Sequence, residues 1–160
     1  MGQYAVHESD LDATGCRVAV VAGRFNREIV QLLYDGAVKE FERLGVASDA
    51  IDAVWVPGAF ELPLMAKTFA ATGSYDAIVC VGAVVRGGTP HFDYVAGECA
   101  RGLMNASLET GVPIVFGVLT TDNKEQAFDR AGGAEGNKGA EAAATAIEMV
   151  TLLRAVNGEH

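Results

Sequence analysis

Four short apolar runs, at residues 17–22, 51–56, 77–85 and 113–119, constrain the fold more than any other feature of this chain. They are rich in β-branched residues and mostly lack the hydrophobic–polar alternation of a half-solvated strand. Strands of that kind are covered on both faces, as in parallel sheets flanked by helices. The segments between them repeat instead with a helical period. The first begins at Asn26, a candidate N-cap, carries Ile29, Leu33, Ala37, Phe41 and Leu44 on one face, and stops at Gly45. A second, over 61–72, turns Leu62, Met65, Ala66 and Phe69 inward before Gly73. A third starts after Pro90 and aligns Phe92, Ala96, Cys99, Leu103 and Ala106 before Gly111. A short helix over 124–130 precedes a break at Gly132-Gly133, and a last one carries Ala143, Ile147, Val150 and Leu153 inward. Strand–helix alternation with right-handed crossovers predicts a three-layer α/β/α sandwich around a four-stranded parallel core sheet.

At 160 residues, with no linker and no repeat, the chain reads as one domain over 1–160. Residues 1–14 stand outside the alternation and form an N-terminal arm. Within it, Tyr4-Ala5-Val6-His7 is expected to be an edge strand, added to the sheet of a neighbouring subunit.

Charge narrows the partners. Twelve Lys and Arg stand against twenty-one Asp and Glu, a formal net charge of −9. That field repels nucleic acid and anionic membrane surfaces, and an anionic small molecule needs cations gathered in one pocket. Half of the residues are hydrophobic, which excludes disorder and, for so small a chain, hints at self-association. Cys16, Cys80 and Cys99 are widely spaced without a CxxC; Cys80 in a strand-like run and Cys99 on a helical pattern read as small buried hydrophobes, which fits a reducing compartment. The first residues lack the pattern of a signal peptide, and no apolar run approaches a membrane span. A soluble, cytoplasmic protein is the expectation.

In open α/β sheets ligands sit beyond the carboxyl ends of the strands, so the loops after the four runs are where chemistry belongs. After the first comes Gly23-Arg24-Phe25-Asn26, where the Phe25 ring either folds back onto the core or stays free to stack on a planar heterocycle. After the second comes Pro57-Gly58-Ala59-Phe60-Glu61-Leu62-Pro63. Glu61 gains there from the helix dipole, and its carboxylate is also suited to accept from sugar-like hydroxyls. The third loop, Arg86-Gly87-Gly88-Thr89-Pro90-His91, pairs two glycines with a helix start whose free N–H groups suit an anion. It is neither a GxxxxGK[ST] nor a GxGxxG loop, which disfavours ATP and dinucleotides. His91, the one histidine away from the chain ends, follows it as a candidate proton carrier. In the fourth region Arg130 and Lys138 are scarce cations in an acidic chain, and the Arg130 fork suits a phosphate. No HExxH and no Cys/His pair at ligand spacing supports a metal, and no GxSxG elbow supports a serine hydrolase.

These blocks, in this order, resemble the lumazine synthase family of riboflavin biosynthesis. The similarity spans residues 15–155. It rests on Gly23-Arg24-Phe25-Asn26, Pro57 to Pro63, Val85 to Val95, Phe116-Gly117-Val118-Leu119-Thr120-Thr121, and Arg130-Ala131-Gly132 with Gly136-Asn137-Lys138-Gly139. The resemblance implies a flavodoxin-like fold and the condensation of 5-amino-6-(D-ribitylamino)uracil with 3,4-dihydroxy-2-butanone 4-phosphate. Phosphate and water are lost, and no cofactor is needed. It implies that Phe25 stacks on the pyrimidine, and that Ala59, Phe60, Glu61, Ala83, Val84 and Val85 hold the pyrimidine and ribityl chain. Phe116 joins them from an adjacent subunit. Gly88, Thr89 and Arg130 would bind the phosphate, His91 would transfer protons, and Lys138 and Asn26 are further candidates.

The family builds its sites between neighbours in pentamers. The short stretch from Gly132 to Lys138 resembles members that assemble sixty-subunit shells, with riboflavin synthase as a further partner. Where many members carry a lysine, this chain has Gly133-Ala134-Glu135, which leaves phosphate binding more to Arg130 and Lys138. Two alternatives share the fold: a non-catalytic flavin- or lumazine-binding shell protein, and the archaeal type of riboflavin synthase. His91 and Arg130 together with Gly88-Thr89 argue against the first, and the intact block from Arg86 to Val95 against the second.

Overall fold

A computed structural model describes residues 2–159; Met1 of the expected arm and domain, and His160, lie outside the described residues. The chain forms β1 (Val18–Gly23), α1 (Arg27–Leu44), β2 (Ile51–Val56), α2 (Leu62–Ala71), β3 (Ala77–Val85), α3 (His91–Thr110), β4 (Ile114–Thr121), α4 (Lys124–Asp129), β5 (Ala131–Gly133), β6 (Gly136–Asn137) and α5 (Lys138–Val156). The first four strands make one parallel sheet in the order β2-β1-β3-β4, the α/β sandwich expected of the four apolar runs.

The sheet is covered on both faces. Val18, Val20 and Ala22 of β1 and Val79 and Val81 of β3 pack with Ile29, Leu33 and Phe41 of α1 and Ile147 of α5. The alternate residues, Ala19, Val21, Ile78 and Cys80, pack with Leu62 and Ala66 of α2 and Cys99 and Leu103 of α3. Each strand residue therefore enters one of two apolar layers, which is why alternation is missing from the sequence. The outer strands β2 and β4 are less completely covered. All three cysteines are buried free thiols, and burial pushes the Cys99 thiol up to about 12.

Helix stops fall where glycine allows a left-handed residue: Gly45 ends α1 at φ 114° and Gly111 ends α3 at φ 71°. Other expectations need correction. Asn26 does not cap α1 with its side chain; it is left-handed at φ 59°, ψ 44°, and its amide points elsewhere. A 3-10 turn over Ala59–Glu61 precedes α2. α4 ends at Asp129, and Gly132-Gly133 is no simple break but part of the antiparallel β5–β6 hairpin. Leu153 is 36% exposed rather than inward. Residues 4–7 form no strand within the chain, and Tyr4 and Val6 are exposed. No helix among the described residues is long and apolar enough to cross a membrane.

Candidate active site

The strand order reverses direction between β1 and β3, and a cleft of about 660 Å³ opens beyond their carboxyl ends. Phe25 enters it from the turn after β1. That turn is clamped to the turn after β2 by Arg24 N–H donating to Val56 O at 2.8 Å and Phe25 N–H donating to Pro57 O at 3.1 Å. The clamp holds the turn so that the Phe25 ring stays out of the core, 72% exposed. Phe60, 59% exposed, lines the same cleft with Ala59 and Glu61, while Ala83, Val84 and Val85 form its floor at the end of β3. Two large aromatic rings left in water at one cleft are unusual for a settled surface and suit a planar apolar ligand.

The opposite wall is the loop into α3, which contributes Gly87, Thr89 and His91. No backbone acceptor among the described residues takes the N–H of Gly87, Gly88 or Thr89. Free donors at the start of a twenty-residue helix suit an anion. Gly88 belongs to this loop, though it does not itself line the cleft. Asn26 does not line it either; its amide nitrogen donates to Ala83 O at 3.0 Å behind the cleft wall.

Phe116, Arg130 and Lys138 lie elsewhere in the chain. They line a separate hollow of about 490 Å³ outside β4, and no residue lines both. The β5–β6 hairpin brings the two cations together, because Lys138 N–H donates to Arg130 O at 2.9 Å. Arg130 Nη1 donates to Gln126 O at 3.0 Å, and Lys138 Nζ pairs with Glu141 at 2.9 Å. The Phe116 ring is 43% exposed in the same hollow.

Several lining residues escaped the sequence reading. Tyr94 and Val95 follow His91 around the first turns of α3 and line the cleft, and Phe92, read as core-facing, lines it too. Glu141 lines the second hollow three residues after Lys138. The helical spacing of these residues was the only available signal.

Comparison with known proteins sets this geometry in a family. The family model described as 6,7-dimethyl-8-ribityllumazine synthase matches residues 15–154. The chain belongs to this family. A relative named 6,7-dimethyl-8-ribityllumazine synthase from Thermus thermophilus is 56% identical over 147 residues, covering 92% of this chain and 94% of the relative. A protein of the same name from Clostridium kluyveri is 51% identical over 149 residues, covering 93% and 97%. The match to the lumazine synthase family includes both hollows, so the aromatic cleft and the cationic one lie within the shared region.

Proposed function

We propose that this chain condenses 5-amino-6-(D-ribitylamino)uracil with 3,4-dihydroxy-2-butanone 4-phosphate to 6,7-dimethyl-8-ribityllumazine, releasing phosphate and water. The observation that carries this reading beyond family membership is the division of the site. One hollow holds two bare aromatic rings, His91 and a loop of free N–H groups; the other holds a third bare ring and two cations. A head-to-tail ring of copies sets the second hollow of one against the first hollow of the next, as a heterologous interface allows. The ring closes as a pentamer, and twelve pentamers form a shell.

In the joined site the pyrimidine stacks on Phe25, with Phe116 of the neighbour beside it. Ala59, Phe60 and Glu61 hold the ring edge and ribityl hydroxyls over Ala83, Val84 and Val85. The butanone phosphate sits on the N–H groups of Gly88 and Thr89, with the neighbour's Arg130 as bidentate partner and Lys138 close to it. The primary amine of the pyrimidine attacks the ketone and water leaves as the Schiff base forms. Phosphate is then eliminated, the enol that remains tautomerises to a ketone, and the second nitrogen attacks that carbonyl, closing the ring as a second water leaves. Each step moves protons between positioned groups, so orientation and a proton carrier are what the protein supplies. His91 is that carrier, and its removal lowers turnover by about 10²–10⁴-fold.

Residues 4–7, unpaired within the chain, add a strand to a neighbour's sheet. The enzyme works in the cytoplasm and passes its product to riboflavin synthase. The direct test mixes purified protein with both substrates and follows lumazine absorbance and phosphate release. Acceleration over the uncatalysed condensation is expected; its absence overturns the reading. A sedimenting species of only five or ten subunits overturns the shell.

A further inference from the structure

We propose that Arg86 is a positioning residue that pins the glycine loop before α3, and that it does not bind the substrate phosphate itself. The inference rests on the function proposed above. Residues 87–90 are exposed throughout, and a Cβ on Gly87 or Gly88 would meet nothing within 4 Å. Such a loop has many conformations, and presenting N–H groups to an anion requires selecting one of them, at an entropic cost to binding. What selects it must act at the ends of the loop.

Arg86 joins those ends. Its backbone N–H donates to Thr121 O at 2.8 Å, extending the β3–β4 pairing past the strand. Its side chain then turns back over the start of α3. The guanidinium carbon lies 4.3 Å from the centre of the Phe92 ring, and Nη1 is 3.5 Å from Asp93 Oδ1. On the other side Nε donates to Asp122 Oδ1 at 3.2 Å, in the turn after β4. One side chain thus connects the exit of β3, the first turn of α3 beside His91, and the exit of β4.

The same contacts argue against a direct role. One guanidinium faces two carboxylates, so the local charge is net negative, and a ring covers one of its faces. Arg86 lines neither hollow, whereas Phe92 lines the cleft. A scarce cation next to a candidate phosphate loop is therefore occupied with holding that loop.

The two roles predict opposite signs for one variant. In D93N/D122N, Arg86 remains but loses both carboxylate partners. A pin that is loosened weakens phosphate binding; a direct ligand that is released strengthens it. The expected result is a weakening of inorganic phosphate binding, read by calorimetry on the assembled enzyme, of about three- to tenfold. The KM for the butanone phosphate should rise in parallel and by more than the KM for the pyrimidine. Tighter or unchanged phosphate binding, or equal effects on both substrates, overturns the pin. Should D93N/D122N fail to assemble, Arg86→Lys decides: it keeps the charge and loses the fork and the planar stack, so retained phosphate affinity overturns the proposal. The calorimetry needs no turnover. A wild-type enzyme that failed to accelerate the condensation would therefore overturn the function, while the direction of the phosphate shift still decides the pin.

Discussion

The Asn26 amide nitrogen donates to the carbonyl oxygen of Ala83 at 3.0 Å, tying the turn that carries Phe25 to the end of β3. To do so Asn26 adopts φ 59°, the only left-handed non-glycine among the described residues. Asparagine tolerates that conformation better than other residues with a Cβ, and glycine better still. Asn26→Gly therefore relieves backbone strain as it removes the hydrogen bond, and its stability should stay within about 1 kcal/mol of the parent. Asn26→Ala loses the bond and keeps the strain, so a loss of about 1.5–3 kcal/mol is expected. Urea unfolding at fixed chain concentration checks both. In each variant the Phe25 turn is freer, so KM for the pyrimidine should rise more than KM for the butanone phosphate. A stable Asn26→Ala would show that the amide bond carries no strain-bearing role.

Arg130→Ala separates the two substrates in the other direction. Its fork belongs to the hollow that does not hold Phe25, the ring proposed to stack on the pyrimidine. A charge-assisted hydrogen bond lost from the anion should raise KM for the butanone phosphate about ten- to a hundredfold, with little change for the pyrimidine. Steady-state kinetics with each substrate varied in turn decides it. Equal effects on both would remove the phosphate role from Arg130.

What could be read in the sequence follows from how local each cause is. The sheet was legible because two-sided coverage leaves a direct mark: Val18, Ala19, Val20 and Val21 are all fully buried, so no alternation survives. The stops at Gly45 and Gly111 were legible because a left-handed C-cap is a one-residue property. Three asparagines show where this ends. Asn123 and Asn137 lie in extended conformations and cap α4 and α5 with their side chains, while Asn26 is left-handed and bonds across the sheet. The residue type is the same, and only tertiary contact separates the roles. The β5–β6 hairpin was missed because its strands are three and two residues long, too short for any periodicity. That miss hid the pairing of Arg130 with Lys138. The separation of the two hollows depends on where in the sheet order the strand beside each one lies, and no sequence spacing encodes that.

Away from the site, Asp52 gives a pH signature. The Tyr75 hydroxyl, and then the Arg17 guanidinium at 2.7 Å, hold its carboxyl below its ordinary value of 3.8. The fold thus favours the charged form. Its contribution is fully present above 3.8 and is lost as pH falls through the lower folded value. Asp52→Asn removes that dependence. The stability gap between parent and variant should be widest near neutral pH and should narrow on acidification below 3.8, in urea midpoints taken along the series. A gap constant with pH would mean the carboxylate gains nothing from Tyr75 and Arg17. The group is partly exposed, so added salt should shrink the gap as well.

The cations of the second hollow depend in turn on how closely α5 approaches α1. A Cβ on Gly139 would lie 2.0 Å from Leu33 O and 2.7 Å from Leu33 C, both backbone atoms that cannot swing aside. Asn137 fixes this junction from the other side: its Oδ1 accepts from Gly139 and Ala140 N–H, and its Nδ2 donates to Leu32 O at 3.1 Å. Gly139→Ala forces the helices apart, with an expected loss of about 1–3 kcal/mol from overpacking. Ala146, Ile147 and Val150 lie farther along the same helix in the layer that meets α1, so the displacement is felt through that layer rather than absorbed at the first turn. Lys138 precedes the crowded residue, and its N–H is bonded to Arg130 O, so the shift also reaches the Arg130 and Lys138 side chains proposed to bind the phosphate. The variant should therefore combine a lower urea midpoint with a raised KM for the butanone phosphate, leaving KM for the pyrimidine nearly unchanged. A stable Gly139→Ala with parental kinetics would show that α1 and α5 have room to separate, and would uncouple helix packing from the placement of Arg130 and Lys138.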